Sequence, residues 1–196
     1  MCQSLRMEER ECRIAAAGYA VISQYGIRRA TMNDIAEAAG VSRQTLYNVF
    51  PNREALLVGV VRHHFDLKWN AIRSRLAEGD DRKTQFSILL DELVMESWKS
   101  MQTMPHADEL ELEVQTTIKH ELSEIHAEAR RNLCEFLLPY QDALRSRDLT
   151  PMGLGEMLHH SIMGLKLSTT TSEEIESATA TMLACMLAVT EPPEQA

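Results

Sequence analysis

The chain has 196 residues, of which 44% are apolar, 25% charged and only 5% aromatic; this suits one or two compact units with a sizeable core and excludes a disordered chain or a miniature scaffold. Its 20 Lys and Arg stand against 29 Asp and Glu, a formal charge of −9, and no stretch approaches the roughly 18 consecutive apolar residues that a membrane span needs. The polar, mixed-charge N-terminus has no apolar run and no small-residue cleavage site, so it does not read as a secretory signal, and the expected location is the cytoplasm.

Helix signals run the length of the chain and strand alternation is nearly absent, which predicts an all-α protein. The first helix is expected from about Met7 to Tyr25, with Ile14, Ala17, Val21 and Ile22 on one stripe and Gly26 as its stop. A short second helix starts at Thr31, where T-M-N-D sets a capping hydroxyl three residues before a carboxylate; it buries Met32, Ile35, Ala36 and Ala39. In the A-A-G-V-S that follows, Gly40 can take a positive φ, Val41 can pack inward and Ser42 can cap a third helix reaching about Val49. Pro51 then interrupts the chain. Asn52 can cap a long fourth helix carrying Leu57, Val61, Phe65, Trp69, Ile72 and Leu76 before Gly79 ends it.

Beyond Asp80 one helix is expected over about Asp81 to Met101, with Phe86, Leu89, Leu90, Leu93, Val94 and Trp98 inward. Pro105 opens a short acidic piece whose alternating acids, Asp108 to Glu113, read as a solvated helix face. A long helix is expected from about Ile118 to Arg145, striped by Leu122, Ile125, Ala129, Leu133, Phe136, Tyr140 and Leu144. Thr150-Pro151 caps and starts the next, which runs toward Leu167; the polar S-T-T-T-S tract then leads to a last helix capped by Thr171 with Glu174 three residues on. Pro192-Pro193 closes the structured chain.

Charge is distributed unevenly. Through Phe65 there are eight basic and six acidic residues, and from Asp66 onward twelve basic and twenty-three acidic, so the N-terminal part can approach a polyanion that the remainder would repel. Within that part, Thr31 to Phe50 has the proportions of a helix-turn-helix, whose second helix lies in the major groove of DNA. Geometry alone leaves a plain helical hairpin equally open.

The residues themselves separate the two. T-M-N-D-I-A-E-A-A-G-V-S-R-Q-T-L-Y-N-V-F-P-N-R-E-A-L-L, with R-I-A-A-A-G-Y-A-V-I-S-Q-Y-G upstream, resembles the DNA-binding signature of TetR-family transcriptional repressors over roughly residues 10 to 57. The resemblance implies a DNA-binding domain over 1–53, a helical effector-binding and dimerisation domain over 54–196, and a homodimer that grips a roughly palindromic operator until a small apolar or amphipathic effector releases it. Arg43 and Gln44, in the first turn of the third helix, suit bidentate contacts to guanine and adenine. Thr31, Ser42, Thr45, Tyr47 and Arg53 match positions where the family places phosphate contacts. Gln44 stands where a small residue or proline is common, and Asn48 and Val49 replace what is often an aromatic and a histidine. Val49 has no donor for a phosphate, whereas Asn48 can reach a base edge.

The acidic part carries no comparable motif. Among 11 methionines, most fall there, and thioethers adapt to varied apolar ligands; Trp98, Met101, Phe136 and Tyr140, on inward stripes of the central helices, are the candidate effector-pocket lining. Leu154, Leu158, Ile162 and Leu165 of the penultimate helix, with Met182 and Met186 of the last, are the candidate dimer interface, because both helices are apolar on more than one face. No catalytic constellation with matching spacing is visible, so no enzyme is expected. No cofactor or metal is expected either: Cys2, Cys12, Cys134 and Cys185 are scattered, Glu156-x-x-His159 has no second copy, and adjacent histidines such as His159 and His160 point about 100° apart on a helix.

Overall fold

The structure, a computed structural model, describes residues 8–192 apart from Glu78; Cys2, Met7 and Pro193 lie outside the described residues. Among the described residues eleven α-helices follow one another: α1 Glu9–Tyr25, α2 Met32–Ala38, α3 Arg43–Val49, α4 Arg53–Arg75, α5 Arg82–Leu90, α6 Glu96–Thr103, α7 Ala107–Thr117, α8 Lys119–Leu137, α9 Gln141–Arg145, α10 Pro151–Ser168 and α11 Ser172–Val189. No strand occurs among the described residues.

Two of the long helices read from periodicity are interrupted. The expected helix over Asp81 to Met101 is α5 and α6 joined by a π-helical turn, Asp91–Met95, in which the Glu96 amide donates to the Asp91 carbonyl. The inward residues Phe86, Leu90, Val94 and Trp98 are four apart, a spacing that the wider π turn keeps on one face, so periodicity does not register it. Arg75 lies against this turn, its guanidinium 2.6 Å from both Asp91 and Glu92. The expected helix over Ile118 to Arg145 is α8 and α9 with a 3₁₀ turn, Leu138–Tyr140, between them; Pro139 has no amide to donate and its ring crowds the preceding turn.

The caps fall where the sequence sets them. Thr31 and Asp34 form a reciprocal capping box on α2, Asp81 caps α5, Thr150 caps α10, and Thr171 with Glu174 boxes α11. Each such cap is worth about 1 kcal/mol.

The chain forms two compact units, one of residues up to Leu67 together with Met101–Ile125, the other of Lys68–Ser100 together with the chain from His126 on. The first has a core of Ile14, Val21, Ile22, Ile27, Ile35, Leu46, Phe50, Leu57 and Val60, joined by Ile118. The head read from the sequence as ending at Arg53 therefore also holds the first turns of α4 and all of α7, whose Leu110 and Val114 pack on that core. The second unit is built round Trp69, Ile72, Phe86, Leu89, Val94, Leu133, Leu137 and Leu144.

That second core also takes the stripe expected to pair two subunits. Leu154, Leu158, Ile162 and Met186 are buried there, and Leu165 and Met182 pack partly buried against it. A single chain buries them first, at about 1.5–3 kcal/mol per large side chain. What α10 leaves outside is another stripe, with Met152 and Met157 half-exposed, Gly153 and Gly164 along it and Leu167 at the end; α11 leaves Ser177, Thr181, Ala184, Cys185 and Ala188.

Candidate nucleic-acid interface

Two helix ends and a tight turn build the helix-turn-helix. On α2, the Asp34 amide donates to the Thr31 hydroxyl at 3.2 Å while the Thr31 amide donates to the Asp34 carboxylate at 3.0 Å. The bonds from Thr31 hold the Asp34 carboxyl below its ordinary pKa. At the other end the Gly40 amide donates to Glu37 and the Val41 amide to Ala36, the pair of bonds that closes a Schellman motif. Gly40 has φ +62 there, a conformation that a side chain disfavours.

Ser42 then caps α3, its hydroxyl accepting from the Thr45 amide at 3.1 Å and lying 2.8 Å from the Thr45 hydroxyl. Leu46 is fully buried and Phe50 nearly so, which anchors α3 by its inner face. Its outer face is polar and wet: Arg43, Gln44, Tyr47 and Asn48 are all exposed. At 100° per residue these four positions span an arc of about 140°, wide enough to meet base edges and one flanking phosphate strand. Ser42 and Thr31 are exposed at the N-termini of α3 and α2, where backbone amides and the helix dipole favour phosphate.

Thr45 and Arg53 differ from this pattern. Thr45 is a half-buried residue whose hydroxyl is engaged with that of Ser42. Arg53, expected on a phosphate, is exposed but turns its guanidinium to the backbone: one amino group donates to the Ala30 carbonyl at 2.7 Å and the other to the Ile27 carbonyl. Both carbonyls belong to the loop between α1 and α2, whose Ile27 and Ala30 side chains are buried, and the fork of Arg53 satisfies them together. Arg28 and Arg29, beside Thr31 and exposed, are cations at the same edge that the sequence reading passed over. Arg28 sits 3.5 Å from Glu109 of α7, a pairing across some eighty residues that no local pattern encodes.

The four residues nominated as effector pocket enter separate contacts, and none of them lines the groove that the second unit opens. Tyr140 donates its hydroxyl to Gln85 at 2.7 Å, and its ring and that of Phe136 lie 5.1 and 6.0 Å from Phe86. Trp98 is buried with its indole nitrogen donating to the Thr169 carbonyl, and Met101 belongs to the other compact unit. A groove of about 420 Å³ opens elsewhere in the second unit, lined by Arg75, Leu90, Met95, Glu176, Thr179 and Leu183 among others.

Residues 14–60 match the family described as bacterial regulatory proteins, tetR family. Among curated proteins, the HTH-type transcriptional regulator RutR of Escherichia coli is 39% identical over 54 residues, 28% of this chain and 26% of RutR. The uncharacterized HTH-type regulator YuxN of Bacillus subtilis is 25% identical over 114 residues, 54% of this chain and 39% of YuxN. The matched region thus spans well under two thirds of these relatives. A solved TetR-family transcriptional regulator from Rhodococcus sp. superposes with a TM-score of 0.73 at 25% identity, covering 94% of this chain and all of that one.

Proposed function

Because this chain belongs to the TetR family of transcriptional regulators, we propose that it is a ligand-responsive repressor, acting in the cytoplasm as a homodimer on a roughly palindromic operator. The observation that carries this reading is the polar row Arg43, Gln44, Tyr47 and Asn48, presented to solvent by a helix whose opposite face is locked by Leu46. Arg43, Gln44 and Asn48 read base edges; Thr31, Ser42 and Tyr47 hold the sugar-phosphate backbone. Arg53 contributes by fixing the α1–α2 loop that carries Arg28, Arg29 and Thr31.

Two heads on one operator require two chains, and the outer stripe of α10 and α11 is the proposed pairing face. Met152, Met157 and Leu167 expose about half of their surfaces (46%, 50% and 55%), while Gly164, Ala184 and Ala188 let helices approach closely. Burying that stripe against its two-fold copy gives a four-helix bundle and removes the apolar surface from water. The proposed effector is a small apolar or amphipathic molecule entering beside the half-buried Phe136 and Tyr140. Its binding shifts the equilibrium between head spacings, carried along α4, whose first turns lie in the head and whose last turns lie in the second core.

The test is a salt-dependent selection on random duplex DNA with the Arg43→Ala and Tyr47→Ala variants. Arg43→Ala is expected to relax preference at one base position by about 1–3 kcal/mol, and Tyr47→Ala to weaken all sequences alike. Equal, sequence-blind losses from both variants would remove the assignment of readers; no duplex binding at low salt would remove the function.

A further inference from the structure

Helices α8 and α10 touch backbone to backbone at Gly155: a methyl group there would stand 3.3 Å from the Cys134 amide and 3.5 Å from the Arg130 carbonyl. One turn further along α10, this close approach drives His159 into the seam, where it is 7% exposed. Its ring meets that of His126 on α8 edge to face, with centroids 5.0 Å apart, and that of His160 at 5.6 Å. His160 donates its Nδ1 proton to the Glu156 carbonyl at 2.7 Å, since a carbonyl can only accept.

Three imidazoles together suggest either a transition metal or an anion, and the surrounding charge decides between them. Among the described residues no group of three or more His, Cys, Asp or Glu is arranged to hold a metal ion. The charges acting on His126 and His159 are positive: Arg130 on α8 and Lys166 on α10, together with the neighbouring histidines. A cation would be repelled and an anion attracted, and the spot is cationic in a chain that from Asp66 onward carries twelve basic and twenty-three acidic residues.

We propose that the crossing of α8 and α10 is a binding site for a small oxyanion, a carboxylate or a phosphate group, held by His126, Arg130, His159, His160 and Lys166. Arg130 and Lys166 supply permanent charge, and the imidazoles of His126 and His159 become donors as they protonate. Burial and these cations hold His159 down at about 4 and His126 below its ordinary range; a bound anion favours both imidazolium forms, so binding takes up protons and tightens as pH falls. The site does not depend on the DNA-binding reading.

The experiment titrates the histidine ring nitrogens of the full-length protein by NMR in sodium phosphate, sodium butyrate or sodium chloride at matched ionic strength. Phosphate or butyrate is expected to raise the His159 and His126 midpoints saturably where chloride does not, with affinity rising severalfold from about pH 7.5 to 6. The stronger of the two probes identifies the group bound. Arg130→Gln and Lys166→Gln are expected to weaken binding by roughly tenfold or less each, and Lys166→Gln, a change at a partly exposed side chain, keeps the test open should Arg130→Gln fail to fold. Identical midpoints in all three salts, or binding unchanged in Lys166→Gln, would overturn the assignment.

Discussion

Replacing Arg53 by alanine separates two roles that its position in the sequence leaves combined. In the structure the guanidinium closes the α1–α2 loop by donating to Ala30 and Ile27, so removal strands two carbonyls beside buried side chains. A hydrogen bond from a charged donor is worth about 1.5–3 kcal/mol, and solvent at the rim of the loop reduces the pair to an expected loss of about 2–4 kcal/mol. Against a typical total of roughly 5–15 kcal/mol this is a large fraction, readable as a drop in the urea midpoint at unchanged slope. Arg53→Lys offers one point donor in place of a fork and should recover about half. DNA affinity is expected to fall through misplacement of Thr31 and its neighbours, with the salt dependence of the remaining binding little altered. An unchanged urea midpoint, together with a salt slope reduced by about 0.9, would show instead that Arg53 neutralises a phosphate and that the loop stands without it.

Three further outcomes are expected. Gly59→Ala places a methyl 2.5 Å from Phe50 Cε1 and 2.7 Å from its Cζ; because Phe50 is buried at the end of α3, thermal unfolding should report a loss of about 1–3 kcal/mol, and an unchanged melting temperature would mean that the ring has room to move. Burial and nearby cations lower His159 from 6.5 to about 4, so between those values the unfolded chain binds a proton that the folded ring refuses. Stability present above about pH 6.5 is then lost as pH falls toward 4, by at most about 3 kcal/mol and by roughly half that with solvent at the cluster's edge; His159→Gln should flatten this part of the pH profile. Met157→Glu on the outer stripe of α10 should yield a folded monomer by sedimentation with unchanged helicity, whereas a persisting dimer would move the pairing face elsewhere.

The head was legible in the sequence because local chemistry decides most of it. The Thr31 box, the Gly40 turn and the Ser42 cap act within a few residues, and they set the face on which Arg43, Gln44, Tyr47 and Asn48 emerge. The same locality hid the interruptions in the later helices, since a π turn at Asp91–Met95 keeps residues spaced by four, such as Leu90, Val94 and Trp98, on one face. Pro139 was a visible signal for the break after α8, outweighed in the periodic reading by the residues on either side.

Contacts between distant segments belonged to the tertiary structure alone. A stripe of Leu154, Leu158 and Ile162 states that something apolar must cover it, but hydrophobic burial has no direction, and only the folded chain shows that its own core does so before any second copy can. Arg53 has the charge for a phosphate, yet two carbonyls twenty-three and twenty-six residues away claim it, and the imidazoles of His126 and His159 meet because Gly155 lets two helix backbones close together. Sequence therefore determined the helices, their caps and the polar row, which depend on neighbours along the chain; which surface remains open to a partner depends on what the rest of the chain has already covered.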